Sequence, residues 1–286
     1  MTRPIRLIAI DIDGTLLNSK VELSDENRDA LRRAHAAGIE IVLGTGRRHD
    51  FAMPIAGSLG FELWLLSSNG AVTRSTSGET FHRDFLPKPT AVKLAQAMRR
   101  YRNYMVLTFD RPAMGAIVCE NHDKLYGVIQ RWMDKNAPFI EYVSPIERAL
   151  TEDPIQAMVC GPVELMEQAQ AELDALDFRQ EFTALRTQYD FRDLCIVDLL
   201  NAGCSKGHAL ERWANYRGFD RSEVMAIGDN YNDVEMLTFA GHPVIMGNAC
   251  DDLKQNGWTV ALHHDEHGVA AVIEQVLESN AAIQNA

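Results

Sequence analysis

The 286-residue chain is 46% hydrophobic and 24% charged, with 19 Gly and 10 Pro. This is the composition of a globular protein with one large core or two smaller ones, and it excludes disordered, collagen-like and fibrous classes. Asp and Glu number 40 against 28 Lys and Arg, a formal charge of -12, and so acidic a surface repels a phosphate backbone, which argues against nucleic acid as a partner.

The apolar run before Asp11 is too short for a signal segment, and nothing later approaches the roughly 18 apolar residues of a membrane helix. Cys119, Cys160, Cys195, Cys204 and Cys250 are odd in number and include no Cys-x-x-Cys pair. They fit neither a disulfide framework nor a thiolate zinc site, so the expected setting is a reducing cytoplasm, with no membrane partner.

In chain order, residues 5–10 form a short apolar run rich in β-branched residues that ends on Asp11, the pattern of a buried parallel strand. Ser24 caps a predicted helix to about residue 37, with Ala30, Leu31 and Ala34 as its apolar positions and Gly38 as its stop. A second strand over 39–43 ends at Gly44-Thr45-Gly46-Arg47, and a third over 63–66 ends at Ser68-Asn69-Gly70. Strand, helix, strand, helix, strand at this spacing predicts an α/β fold with a doubly wound parallel sheet.

From about 85 to 192 the rhythm changes. Helices near 88–101, 123–135 and 163–176 alternate with strands near 105–109, 115–119, 155–160, 182–188 and 194–199. This order predicts an inserted α+β domain over 85–192, dividing a core made of 1–84 and 193–286. After Gly203 the first rhythm returns: helix 206–216, strand 224–227, helix 232–239, strands 243–246 and 258–262, and helix 269–277.

Three of the predicted strands end in polar clusters: Asp11-Ile12-Asp13-Gly14-Thr15, Gly44-Thr45-Gly46 and Gly228-Asp229-Asn230-Tyr231-Asn232-Asp233. In an open α/β sheet the ligand crevice lies beyond the carboxyl ends of the strands, so Asp11, Asp13, Asp229 and Asp233 are expected to share one small site. Such crowding is unfavourable unless a cation neutralises it, and all-oxygen ligands suit Mg2+ over zinc. A divalent cation, a lysine, a threonine hydroxyl and glycine-freed amides together complement a phosphoryl group. Asp11, at the strand end, suits in-line attack on phosphorus to make an aspartyl-phosphate. Asp13, on the same side of a near-extended chain, is placed to protonate the leaving oxygen and then to deprotonate water. Lys206 opens a predicted helix, where the dipole disfavours a cation unless an anion sits beside it.

The segments Asp11-Ile-Asp-Gly-Thr-Leu, Gly44-Thr-Gly-Arg, Ser205-Lys206-Gly207 and Gly228-Asp-Asn-Tyr-Asn-Asp233 resemble, in order, the four motifs of the haloacid dehalogenase superfamily of phosphohydrolases. With Ser68-Asn-Gly-Ala71, Gly247-Asn248-Ala249 and an insertion between the second and third motifs, the chain resembles the Cof-type subfamily with a class IIB cap. The resemblance implies Asp11 as nucleophile, with its carboxylate on Mg2+, and Asp13 as general acid and base, with its backbone carbonyl on the metal. It implies Thr45, Gly46 and Lys206 on the phosphoryl oxygens and Asn232 near them, Asp229 as a metal ligand supported by Asp233, and Arg47 and Asn69 at the mouth facing the cap. The implied activity is Mg2+-dependent hydrolysis of small phosphorylated metabolites by a monomer or homodimer. Where the family commonly reads Asn-Asp-Glu-Asp-Gly-Val, this chain has His264-Asp265-Glu266-His267-Gly268-Val269, so the resemblance implies no cap or substrate contact there.

Competing readings are weaker. Asp11-x-Asp13 with Glu22 mimics a calcium loop, but Leu16 stands where that loop needs glycine. His263 and His267 stand four apart, yet the glutamate is misplaced for a zinc-protease helix, and a solvated loop is expected. Lys88, Lys93, Arg99, Arg100 and Arg102 read as a solvated helix face, with an anionic substrate as the alternative. A phosphosugar mutase shares the chemistry of the phosphatase. A phospho-accepting signalling module fits less well, since the acid pair of such modules precedes the acceptor and they carry no inserted domain.

Overall fold

A computed structural model of the chain describes residues 3–189 and 192–284. The chain enters as β1 (Leu7–Asp11), α1 (Asp25–Ala36), β2 (Glu40–Gly44), α2 (His49–Ser58), β3 (Trp64–Ser67), β4 (Val72–Ser75) and β5 (Thr80–Arg83). There follow α3 (Lys88–Ala97), β6 (Met105–Thr108), β7 (Ile117–Cys119), α4 (Asp123–Asn136), β8 (Ile140–Tyr142), β9 (Gln156–Gly161), α5 (Val163–Asp174), β10 (Phe182–Tyr189) and β11 (Leu194–Asn201). The last stretch is α6 (Lys206–Arg217), β12 (Val224–Gly228), α7 (Val234–Phe239), β13 (His242–Ile245), α8 (Asp251–Lys254), β14 (Thr259–Val260) and α9 (Gly268–Gln284). Two compact units result: the residues up to Arg83 together with those from Ser205 on, and Asp84–Cys204.

The first unit holds an eight-stranded sheet in the order β14-β13-β12-β1-β2-β3-β4-β5. Its pairs are parallel from β14 to β3 and antiparallel at β3-β4 and β4-β5. Alternate side chains of β1 explain why residues 7–10 are all apolar. Ile8 and Ile10 join a core with Leu31 of α1, Ala52 of α2 and Ile273 of α9, while Leu7 and Ala9 join another with Leu210 and Trp213 of α6 and Met236 of α7. Helices therefore cover both faces, as a doubly wound sheet requires. The Ser24 side chain accepts from the Asn27 N–H at 3.2 Å and starts α1 where the sequence places it. The hairpin β4-β5 is an addition to the predicted sheet.

The second unit is a six-stranded sheet, β10-β11-β9-β6-β7-β8, antiparallel except for β7-β8. Its core includes Leu94 of α3, Leu107, Val159, Met166 of α5 and Val197. Strand β11 pairs along one edge with β10 and along the other with β9. It therefore belongs to this unit, and the predicted return to the core at 193 is corrected to Ser205. The basic residues near α3 pair within the unit: Lys93 with Glu181 at 2.6 Å, Arg100 with Glu172 at 3.1 Å, and Arg102 with Glu147. Among the described residues no helix is long and apolar enough to cross a membrane.

Candidate active site

The sheet order makes β1 the switch point of the winding, since β2 and β3 lie to one side of it and β12 and β13 to the other. A crevice opens beyond the carboxyl end of such a strand. Asp11 is the last residue of β1, and Asp229 follows β12 on the neighbouring strand.

Lys206 is the first residue of α6, whose cap Ser205 accepts from the His208 N–H at 3.2 Å. Gly207 behind it faces the backbone of Glu235 so closely that a Cβ would collide, which is why α6 can bring Lys206 this deep. The fully buried ammonium donates to Asp11 Oδ1 at 2.6 Å and to Asp233 Oδ1 at 2.7 Å. Asp233 Oδ2 accepts from the backbone N–H groups of Asp229 at 3.0 Å and Asn230 at 3.1 Å. Both Asp233 oxygens are thus engaged, and the residue ties α6 to the turn after β12.

Asp229 lies against the loop after β1. Its Oδ1 accepts from the Thr15 hydroxyl at 3.1 Å and its Oδ2 from Asn248 Nδ2 at 3.4 Å, while the same Nδ2 donates to the Gly14 carbonyl at 2.8 Å. Gly14 has φ +87°, and a Cβ there would fall on the Asp229 carboxylate. Only glycine allows this close approach.

Charge does not balance in this cluster. Carboxylate oxygens of Asp11, Asp229 and Asp233 lie within 4.8 Å of one another, with one ammonium among them. Burial, then the nearby Asp233, push the Asp11 carboxyl from 3.8 up to about 7 against the pull of Lys206. Burial, then Asp11 and Asp233, raise Asp229 well above its usual value. Burial alone would lower Lys206, but the carboxylates of Asp11 and Asp233 hold it above the ordinary lysine range. Asp11 Oδ2 is buried without a hydrogen-bond partner, a costly arrangement for an anion. An excess of buried carboxylate, an orphaned oxygen and an all-oxygen donor set fit a hard divalent cation.

Asp13 stands outside this cluster. Its carboxylate, one-third exposed, accepts from Arg47 Nε at 2.7 Å and Nη2 at 2.5 Å, a two-point clamp. Thr45 is buried after β2, and its hydroxyl accepts from the Arg47 N–H at 3.1 Å. Ser68 and Asn69 adopt φ +49° and +53°, a strained pair. Backbone bonds from Ser68 to the Arg47 carbonyl and from Asn69 to the Thr45 carbonyl, each 2.8 Å, hold it against the β2 loop. Asn69 Oδ1 then accepts from Asn232 Nδ2 at 3.0 Å, and Gly46 packs against the same Asn69 side chain. The structure brings Asp11, Lys206, Asp229 and Asp233 into one contact network and Thr45, Gly46, Asn69 and Asn232 into another. Arg47 is found on Asp13. Thr15 and Asn248 received no role from the sequence, although both stand inside quoted motifs.

Residues 8–273 match the haloacid dehalogenase-like hydrolase family. The chain belongs to that family. Among its relatives, Phosphatase YwpJ of Bacillus subtilis is 35% identical over 96% of this chain and 100% of its own length. Pyridoxal phosphate phosphatase YbhA of Escherichia coli is 28% identical over 87% of this chain and 90% of its own. A solved haloacid dehalogenase-like hydrolase from Bacteroides thetaiotaomicron is 30% identical with a TM-score of 0.78, covering 95% of this chain and 99% of that one. The chain is accordingly a phosphomonoesterase of the haloacid dehalogenase-like hydrolases.

Proposed function

We propose that the chain hydrolyses small phosphorylated metabolites through an aspartyl-phosphate on Asp11, with Mg2+ as cofactor. The observation that carries this reading is the bare Oδ2 of Asp11, buried beside Asp229 while Lys206 holds the other oxygen. Asp11, Asp229 and the backbone carbonyl of Asp13 would hold the cation, with Asp233 bracing them, and when bound it offsets the charge of the carboxylates and of the phosphoryl group.

Asp11 attacks phosphorus as the ester O–P bond breaks, and Asp13 gives its proton to the departing alcohol. Water then attacks the phosphorus of the aspartyl-phosphate, Asp13 takes the water's proton, and inorganic phosphate leaves. Lys206, the Thr45 hydroxyl, the Gly46 amide and the Asn232 amide bind phosphoryl oxygens, where charge spreads in the transition state. Arg47 must release Asp13 before that carboxyl can carry a proton, and an arriving phosphate is the competitor that draws the guanidinium away. The second unit is assigned substrate selection.

Relatives act on pyridoxal phosphate and on 5-amino-6-(5-phospho-D-ribitylamino)uracil. A panel of these with sugar phosphates and flavin mononucleotide, assayed for phosphate release with Mg2+ and with EDTA, tests the reading. Acid quench during turnover of a substrate carrying radioactive phosphorus should trap the label on Asp11, and heavy-oxygen water should enter only the released phosphate. Full activity in EDTA, or no phosphoryl group trapped on Asp11, overturns it, and isomerisation of a sugar phosphate without phosphate release would mark a mutase instead.

A further inference from the structure

The loop after β1 closes its own first turn with two backbone bonds, from the Leu16 N–H to the Asp11 carbonyl at 3.2 Å and from the Leu17 N–H to the Ile12 carbonyl at 2.9 Å. Further along it is held from outside, by Asn248 and by the turn before α9. Asn248 Nδ2 donates to the Gly14 carbonyl at 2.8 Å and to Asp229 Oδ2 at 3.4 Å, the His264 ring bonds the Leu17 backbone, and Asp265 Oδ1 accepts from the Ser19 N–H at 2.8 Å. Three points along one loop are thus gripped.

The gripping side is itself fixed. His263 Nδ1 accepts from the Asp265 N–H at 3.1 Å and the His263 N–H donates to Glu266 Oε2 at 3.3 Å, a reciprocal cap on the turn over His264–Glu266. The His264 N–H then donates to Asn248 Oδ1 at 3.1 Å. With its oxygen spent on the turn, Asn248 presents its amide nitrogen to Gly14 and Asp229. The opposite orientation would set Oδ1 against a carbonyl and a carboxylate that only accept, so the turn decides which way the amide points.

We propose that Asn248, oriented by the turn over His264–Glu266, is a positioning residue for the cation site: it fixes Asp229 against the loop after β1, while the grip at Leu17 and Ser19 keeps that loop in place. This rests on the reading of Asp11, Asp229 and the Asp13 carbonyl as the cation's ligands. Gly14 directly follows Asp13, so holding the Gly14 carbonyl also holds the Asp13 backbone beside Asp229. Mg2+ takes oxygens at about 2.0–2.1 Å in near-ideal octahedral geometry, and a shift of either loop spoils that fit. The turn is also where this chain departs from the family pattern, and His264 supplies the ring that reaches Leu17.

The test is calorimetric titration of the full chain with MgCl2. Asn248→Ala should weaken Mg2+ by about 10-fold or more, the scale for a partner that orients a metal ligand, and should still unfold cooperatively in urea with EDTA present. Its turnover of p-nitrophenyl phosphate should recover as Mg2+ is raised, with KM within about twofold of the parent. Asp265→Ala removes the acceptor for Ser19 and should weaken Mg2+ by about 5-fold, the worth of one hydrogen bond. Asp265→Asn keeps an acceptor oxygen and should restore the parental affinity, so this pair tests the brace even if Asn248→Ala misfolds. Asp229→Asn tests the ligand reading by itself, since parental Mg2+ affinity there would overturn the cation site. Affinity lost in Asp229→Asn but parental in Asn248→Ala and Asp265→Ala would overturn the brace alone, as would Asp265→Asn binding no better than Asp265→Ala.

Discussion

Buried Asp198 in the second unit accepts from Gln156 at 2.9 Å, and the unit's arginines and lysines find carboxylates at half-exposed positions. Its antiparallel strands run into one another through the sheet, and no buried cluster of three acids forms among its described residues. In the first unit, parallel strands all end at one edge, and β1, β12 and the start of α6 deliver three carboxylates and one ammonium to the same place. Parallel winding therefore concentrates uncompensated charge that antiparallel pairing disperses. A site held at such cost is a place for chemistry rather than for stability, because an unbalanced buried charge lowers stability.

The comparison breaks most visibly at Asp11. Asp11→Asn should fold and should lose more than about 10⁴-fold in kcat, the scale of removing a nucleophile. In EDTA it should melt above the parent, since a neutral amide replaces a carboxylate that burial and Asp233 disfavour. A variant that turned over at a hundredth of the parental rate would refute the covalent route. Lys206→Met comes next: it keeps the apolar stem and removes the sole ammonium on Asp11 and Asp233. Turnover should fall by about 10²-fold or more, and urea unfolding in EDTA should show a loss of about 3 kcal/mol, as when one partner of a buried pair is deleted. A change confined to KM would make Lys206 a ground-state binding residue.

A smaller effect links protons to the metal. Asp11 has a folded value of about 7 against 3.8 for the free group, so the folded state binds this proton more tightly than the unfolded one. Its contribution to stability is present in full below about 3.8 and is lost as pH rises to about 7. A cation must displace that proton at pH 6 and finds it already gone at pH 8. Mg2+ should therefore raise the melting temperature more at pH 8 than at pH 6, measured against EDTA at each pH. Equal shifts would mean that Asp11 is not a ligand.

The inner parallel strands β1, β2 and β12 were legible because burial on both faces makes them largely apolar runs, β1 most clearly, and because polar clusters mark where they stop. The hairpin β4-β5 was not, since Thr73, Arg74, Thr80 and His82 give an edge strand no apolar face to read. The three-residue β8 is too short for any period. Asp11, Lys206 and Asp229 follow from strand ends and a helix start. The clamp of Arg47 on Asp13 and the reach of Asn248 to Gly14 depend on loop paths that no local pattern encodes. His263 and His267 read as a solvated loop, and the structure places them at the two ends of a short capped turn over His264–Glu266.

The smallest expected effect is the sharpest control on the contrast between the units. Asp198→Asn in β11 keeps an oxygen to accept from Gln156 and removes a buried charge from the second unit. If the second unit disperses charge for folding alone, stability should change by no more than about 1 kcal/mol, the net worth of one retained hydrogen bond, and kcat should hold for every substrate on the panel. A tenfold fall in kcat with stability unchanged would place Asp198 in the catalytic machinery and erase the division of labour drawn between the two sheets.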